Sequence, residues 1–403
     1  MNSGIGMADK FKKPFTQQEP LPEDAIAAAV AVLRSGRLHR YNVLDGEVSE
    51  TALLEQEFAA YLGVPYCLAT ASGGTAMQVA MAACEVGPGD KVLTNAFTLS
   101  PVPGAIHAVG GVPVLVETTE NLVIDLDDLE TKARSSGAKY LMVSHMRGHL
   151  ADMEALAALC ADLGVVLIED CAHTMGAAWN GQASGTFGLA ACFSTQTYKH
   201  INSGEGGFVT SADPDVMARA IIRSGSYMLY ERHLAAPGPE AFADARLDMP
   251  NTSCRMDNLR AAILRPQLPG LEEQVARWNA RYRAIEEGLR GVPGMVLRTI
   301  PNQETHVGSS IQFRVPDLAE DRVQTFIHAN AAAGVELKWF GSPEPHGYTS
   351  AHQSWRYAEV QSLPQTDHVL SRLFDMRIPL TFSVEDCRQI AAIIAEKAAE
   401  ALG

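Results

Sequence analysis

The sequence predicts an α/β protein. It has a large domain on a mostly parallel sheet covered by helices on both faces, and a smaller α+β domain at the C-terminal end. Three observations lead there. Short, β-branched, almost continuously apolar segments alternate with helical ones from about Gly74 to Ile168, the pattern of doubly buried parallel strands joined by crossovers. The 403 residues are more than one hydrophobic core normally serves. After Gly294 the alternation gives way to a different mixture of strands and helices. The division expected is an N-terminal arm and helix over 1–40, a large domain over 41–265 and a small domain over 266–403.

The elements follow in order. The N-terminus, MNSGIGMADKFKKPF, lacks the apolar core of a signal peptide, and its first residues are expected to form a mobile arm. Leu21 to Leu33 reads as a helix closed by Gly36, and Glu50 to Leu62 as a second, with Leu54, Phe58 and Tyr61 on its apolar face and Gly63 at its end. A helix starts near Gly74 and a strand follows at Lys91–Thr94. A helix over Pro101–Val109 leads to the strand Val112–Val116, and a helix near Asp127–Arg134 to the strand Tyr140–Val143. The helix Met153–Leu163 precedes the strand Val165–Ile168. Ala191–Thr195 and Gly207–Thr210 read as two more strands. Asp213 caps a helix that has Pro214 at its first position. A long helical stretch spans Met256 to Leu289. Strands at Met295–Thr299 and Ile311–Val315, a helix at Glu320–Ala333 and a final helix at Val384–Leu402 complete the chain.

Composition narrows the function. A net charge of −15 offers little to a phosphate backbone, so no nucleic acid is expected as partner. Seven scattered cysteines, odd in number and without a CxxC pair, argue against a disulfide framework or a zinc site and for a reducing cytoplasm. No apolar run is long enough to span a membrane, and no metal is expected.

Ligands of open α/β sheets bind outside the carboxyl ends of the strands, and three segments place chemistry there. In Ala71-Ser72-Gly73-Gly74-Thr75-Ala76, two glycines let the backbone turn tightly while the following helix points free N–H groups at one spot, which suits a phosphate; a plain Ser-Gly-Gly cap would look the same. In Val165–His173, an apolar strand runs into Asp170. A carboxylate there needs a cationic partner, such as a protonated pyridine nitrogen, unless Glu169 or Asp170 merely caps the next turn. His173, taken alone, reads as a satisfied core histidine rather than a ligand. In Cys192–Gly207, Lys199 follows a strand and precedes a glycine-rich turn; a lysine in a dry cleft can lose its proton and form a Schiff base, though most lysines are surface groups. Separately each is ambiguous. A phosphate cup, then an aspartate at a strand end, then a lysine 29 residues on, fits pyridoxal phosphate (PLP).

The segment IEDCAHTMGAAWNGQASGTFGLAACFSTQTYKHINSGEGGFVTS (168 to 211) resembles the DegT/StrS family of sugar aminotransferases, of the fold-type I, aspartate aminotransferase-like PLP enzymes. Supporting stretches are SGGTAMQVAMAA, VGPGDKVLTNAFTLSPVPGAIHAVGGVPVLVE, SHMRGHLADMEAL and SLPQTDHVLSRLFDMRIPLTFSVEDC, so that the resemblance runs from about Leu33 to Leu402. It implies that Lys199 carries PLP as a Schiff base and shuttles a proton. Asp170 would pair with the pyridinium nitrogen, His173 would sit near the ring oxygen, and Gly74, Thr75 and Ser194 would hold the phosphate. It implies an amino acid donor, glutamate or glutamine, a keto-sugar or keto-cyclitol acceptor, and a homodimer with active sites at the subunit interface. A PLP enzyme acting on a non-sugar substrate, or a catalytically silent regulatory relative, are the alternatives; the Asp170–Lys199 pair argues against silence.

The sequence departs from the family pattern in four places. Leu99 stands where an aromatic residue usually covers the cofactor ring, and Leu99 rather than Phe97 is expected to take that place. Ser253 stands where an asparagine usually reaches the partner subunit's cofactor phosphate, with Asn251 two residues earlier, so either is a candidate for that contact. Arg147 precedes Gly148 where an aromatic or small residue is usual. It is expected near the substrate entrance, where it would favour an anionic acceptor, or else to be a surface arginine or one paired with a nearby carboxylate. The segment Lys338–Tyr348 is unusual and would shape the acceptor pocket or pack the small domain.

Overall fold

The computed structural model describes residues 10–347 and 349–403, so the outermost part of the expected arm and Tyr348 lie outside the described residues. In chain order its strands are β1 (Tyr66–Thr70), β2 (Lys91–Asn95), β3 (Val112–Val116), β4 (Tyr140–Ser144), β5 (Val166–Asp170), β6 (Ala178–Trp179), β7 (Gln182–Ala183), β8 (Ala190–Ser194), β9 (Gly207–Ser211), β10 (Val296–Leu297), β11 (Glu304–Thr305), β12 (Ser310–Arg314), β13 (Lys338–Trp339) and β14 (Leu373–Arg377).

Seven of them form the large sheet, ordered β1-β9-β8-β5-β4-β2-β3. The pairs from β8 to β3 are parallel, and β9 runs antiparallel to both its neighbours. The helices Glu50–Leu62 and Met153–Leu163 bury Leu54, Phe58, Met153 and Leu156 on one face. The helices Gly73–Ala83 and Pro214–Ser224 bury Met77, Val79, Met217 and Ile221 on the other. Phe58 stacks on Phe208 of β9 with ring centroids 4.1 Å apart. This is the expected α/β layering, with both faces of the sheet dry.

The second sheet, β10-β12-β14-β13, is antiparallel and packs on the helices Leu271–Leu289, Val323–Ala332 and Val384–Leu402. The N-terminal segment joins this core: Phe11 and Phe15 are buried against Phe382, with centroids 5.0 and 4.9 Å from its ring.

Several elements differ from the sequence reading. The stretch Met256–Leu289 is two helices, Asn258–Leu264 and Leu271–Leu289, joined by a 3-10 segment that carries Pro266 and Pro269; each proline removes a backbone donor and crowds the preceding turn. The strand at Met295–Thr299 shrinks to Val296–Leu297. The sequence reading lacks β1, the helix Pro364–Leu370 and the strands β13 and β14.

Candidate active site

The carboxyl ends of β2, β4, β5 and β8 meet at one cleft. Asp170 ends β5, in register with Ser144 on β4 and Cys192 on β8. Its carboxylate is buried and is held by two neutral donors, the Ser144 hydroxyl to Oδ2 at 2.9 Å and the Ala172 N–H to Oδ1 at 3.2 Å. Ser144 is itself fixed: its N–H donates to Asn95 Oδ1 at 2.8 Å, and the Thr98 hydroxyl donates to its Oγ at 2.8 Å. Glu169, one residue earlier, faces the other side of the sheet. Its oxygens accept from the N–H groups of Gly185, Phe187 and Gly188 and meet His145, so this carboxylate anchors a loop. The pleat thus separates the two acids, giving Asp170 alone to the cleft.

Opposite lies the N-terminus of the helix Gly73–Ala83. Ser72 caps it, and Thr75 completes a reciprocal capping box. Thr75 N–H donates to Ser72 Oγ, and the Thr75 hydroxyl meets the Ser72 backbone. Both groups are therefore spent within the turn, and Thr75 does not border the cleft, whereas Ser72, Gly73, Gly74 and Ser194 do. At Gly73 an added Cβ would lie 2.7 Å from Ser194 Cβ, so only glycine lets the turn approach β8 so closely.

Lys199 projects from the long connection between β8 and β9. That loop is closed by the Thr195 N–H to Gly206 O and Thr197 N–H to Gly204 O bonds, and Lys199 N–H donates to Gln196 O. Lys199 Nζ lies 2.7 Å from His173 Nε2. Burial, and after it the Arg147 charge, pushes the Lys199 amine down to about 7. Burial and the neighbouring Lys199 hold His173 well below the ordinary imidazole range, so the ring is neutral. His173 is then more than a core histidine: it faces the lysine inside the cleft.

Leu99 borders the cleft, while the Phe97 ring is buried against Phe340 at 5.0 Å, away from it. Arg147 also borders the cleft, in a left-handed conformation (φ 59°), and its Nη2 donates to Asp375 Oδ2 at 2.6 Å. Arg147 is thus buried and paired with a carboxylate, not a surface arginine, and it still borders the cleft. Asn251 and Ser253 are not part of this chain's cleft. Both are exposed, with the Ser253 N–H donating to Asn251 Oδ1 at 3.1 Å.

The cleft has a volume of about 320 Å³. Its lining includes Tyr198 and Arg377, which the sequence reading did not single out, and Lys338, the first residue of the segment read as shaping the acceptor pocket or packing the small domain. The signal for Arg377 was the period-2 sequence of Asp375-Met376-Arg377, charged groups on alternate positions of an otherwise apolar strand.

A family model described as the DegT/DnrJ/EryC1/StrS aminotransferase family matches residues 21–395. Similar curated proteins include the L-glutamine:2-deoxy-scyllo-inosose aminotransferase of Streptomyces lividus, 33% identical over 293 residues, 72% of this chain and 67% of that protein. The 3-amino-5-hydroxybenzoate synthase of Amycolatopsis mediterranei is 31% identical over 293 residues, 71% and 72% of the two chains. The UDP-N-acetyl-3-dehydro-alpha-D-glucosamine 3-aminotransferase of Acidithiobacillus ferrooxidans is 29% identical over 391 residues, 94% and 98%. Among solved structures, 3-amino-5-hydroxybenzoic acid synthase superposes with a TM-score of 0.81 at 26% identity, covering 98% of this chain and 100% of that one.

Proposed function

The chain belongs to the DegT/DnrJ/EryC1/StrS family of PLP-dependent, fold-type I aminotransferases, and from that membership we propose that it moves an amino group from glutamate or glutamine to the ketone of a sugar, often nucleotide-linked, or of a cyclitol. The observation that carries the reading is the meeting of Lys199, His173, Asp170 and the Ser72–Gly74 turn in one cleft. Relatives whose names specify a scyllo-inosose and a dehydro-glucosamine acceptor support the acceptor class.

The residues fit the cofactor. Asp170 is a buried carboxylate whose two hydrogen bonds come from neutral donors, and a pyridinium N–H would supply the missing cation. The glycine turn against Ser194, at a helix N-terminus, would hold the phosphate. When bound, PLP supplies a carbonyl carbon that takes up the amino group and a ring that withdraws electrons. With its amine at about 7, Lys199 holds a lone pair at neutral pH, so it can attack a carbonyl carbon and take up and return a proton at Nζ. His173 orients that amine through the 2.7 Å contact. Leu99 gives the cleft an apolar face that excludes water. Arg147, bound to Asp375, lowers the Lys199 pKa and borders the space left for the acceptor. The same reading makes the protein a cytoplasmic homodimer, in which Asn251 or Ser253 reaches the partner's cofactor phosphate.

The test is direct. Protein loaded with PLP turns yellow, glutamate or glutamine bleaches it, and a keto-sugar or keto-cyclitol restores the colour. Lys199→Ala abolishes turnover. Near wild-type transamination by that variant would refute the assignment, and colour that no amino donor bleaches would favour a PLP reaction on a non-sugar substrate.

A further inference from the structure

Two residues on one tight turn reach across to two facing residues of the small domain. The turn Met146–Gly148 follows β4, whose last residue, Ser144, holds Asp170. Arg147 sits in it at φ 59° and Gly148 at φ 87°. The turn is wedged: a Cβ added at Gly148 would lie 3.1 Å from the His173 carbonyl oxygen and 3.2 Å from that of Val307, on the chain entering β12. Arg147 Nη2 donates to Asp375 Oδ2 at 2.6 Å, and His149 Nε2 lies 2.5 Å from Gln312 Oε1. Gln312 and Asp375 are cross-strand neighbours on β12 and β14, and Gln312 Nε2 donates to Asp375 Oδ1 at 2.7 Å. Arg147, Asp375, Gln312 and His149 thus close a ring of hydrogen bonds between the two domains, and all four are buried.

The protons in this ring have one arrangement. Paired with the Arg147 cation, Asp375 accepts on both oxygens. Gln312 must therefore turn its amide N–H towards Asp375 and its carbonyl oxygen towards His149, and its Nε2 also reaches Ser310 Oγ at 2.9 Å. Facing an acceptor, His149 must carry its proton on Nε2. Its Nδ1 is buried with no partner among the described residues, so a second proton would be stranded there. Burial, and after it the neighbouring Arg298 and His306, holds His149 well below the ordinary imidazole range, in keeping with a neutral ring. Turning over the Gln312 amide would set oxygen against oxygen at Asp375 and N–H against N–H at His149. The ring therefore holds its polar members in one orientation.

We propose that His149 and Gln312 are positioning residues for Lys199: their contact is the second point of a two-point clasp by which docking of the small domain fixes where the Arg147 charge stands. The assignment deepens the aminotransferase reading and rests on it, since that reading makes the Lys199 amine the reacting group. Without the His149–Gln312 bond, the turn is held across the interface by the Arg147–Asp375 hydrogen bond alone, and the Asp375 carboxylate loses the fixed amide that orients it. After burial, the Arg147 charge is the largest influence that lowers the Lys199 pKa, so a displaced guanidinium is read in the amine. Asp170, His173, His200, Lys338 and Arg377 also face Lys199. None of them hydrogen-bonds to His149 or Gln312, so loss of that contact reaches the amine through Asp375 and Arg147.

The readout is the pH midpoint at which Lys199 becomes reactive. It is followed in full-length, cofactor-free protein by reductive methylation with formaldehyde, with peptide mass spectrometry of Lys199. His149→Phe keeps an aromatic ring and removes the N–H, and Gln312→Met removes the acceptor on the other side of the interface. Each is expected to raise the midpoint by roughly half a pH unit or more, as Arg147 leaves its place. His149→Gln restores an N–H donor and should return the midpoint to the wild-type value. The decisive comparison is with Arg147→Met. Added to that variant, His149→Phe should give no further rise, because the charge through which it acts is gone. A merely structural role would lower melting temperatures and leave the midpoint in place. An unmoved midpoint in both His149→Phe and Gln312→Met, or an equal rise with and without Arg147, overturns the proposal. If one variant fails to fold, the other carries the test. Failure of the wild-type protein to take up PLP removes the aminotransferase reading instead, and the formaldehyde series, which needs no cofactor, still reads the clasp.

Discussion

Lys199 illustrates how a side chain acquires chemistry from its surroundings. Burial pushes its pKa from the ordinary amine range to about 7. In cofactor-free protein its reactivity towards an aldehyde such as PLP is therefore expected to rise with pH through about 7, because the protonated amine has no lone pair; an unperturbed midpoint above 10 in a stopped-flow pH series would contradict this. The same shift has a stability consequence with the opposite feel. The unfolded chain binds the Lys199 proton up to its ordinary pKa and the folded chain only up to about 7, so the penalty is fully present below about 7 and fades as pH rises from there towards the unfolded value. Lys199→Met should thus raise the melting temperature of cofactor-free protein at pH 6, with the advantage shrinking by pH 9. Arg147 gives a coupled prediction. Arg147→Met removes a cation that depresses Lys199 and leaves Asp375 buried with one partner fewer. The Lys199 midpoint should move up and stability should fall by about 3–5 kcal/mol, read by the same pH series and by denaturant titration.

At the scale of elements, the cleft depends on two close approaches. The N-terminal turn of the helix Gly73–Ala83 lies against Ser194, where an added Cβ would come within 2.7 Å of the Ser194 Cβ. Gly73→Ala must push the turn away from β8, and PLP affinity should fall at least tenfold while the secondary structure persists; equilibrium dialysis against PLP measures it. The second approach is at Gly207, where a Cβ would meet the carbonyl oxygens of Phe193 and Ser72 at 2.6 and 2.7 Å. In the glycine-rich turn after Lys199, Gly207 is thus a packing requirement. Strand register does the remaining placement. On β5 it turns Glu169 towards the loop backbone and Asp170 towards the cleft, and on β14 it puts Asp375 and Arg377 together on the face opposite Phe374 and Met376.

At the scale of the whole molecule, contacts between the two sheets' domains complete the site. Arg147 reaches from the large domain to Asp375 on the small one, and His149 reaches to Gln312. The N-terminal segment braces the small domain: Phe11 and Phe15 pack edge-on against Phe382, and the Phe11 N–H donates to Ala333 O at 2.9 Å. Phe15→Ala should cost about 3–5 kcal/mol, seen as an early transition of the small domain in calorimetry. A wild-type melting profile would mean that the segment does not brace this core.

By itself the sequence determined the α/β layering, several helix limits to the residue and the positions of Lys199, Asp170 and Ser194. These are local matters, set by apolar periodicity, capping residues and a motif contiguous over 168 to 211. Only the tertiary structure decided which of Glu169 and Asp170 faces the cleft, that Thr75 is spent on its own turn, and that Arg147 is tied to a carboxylate 228 positions away. It alone gathered Lys338 and Arg377 beside Lys199. Such groups are brought together by the register of antiparallel strands and the docking of two domains, and neither leaves a periodic signal along the chain.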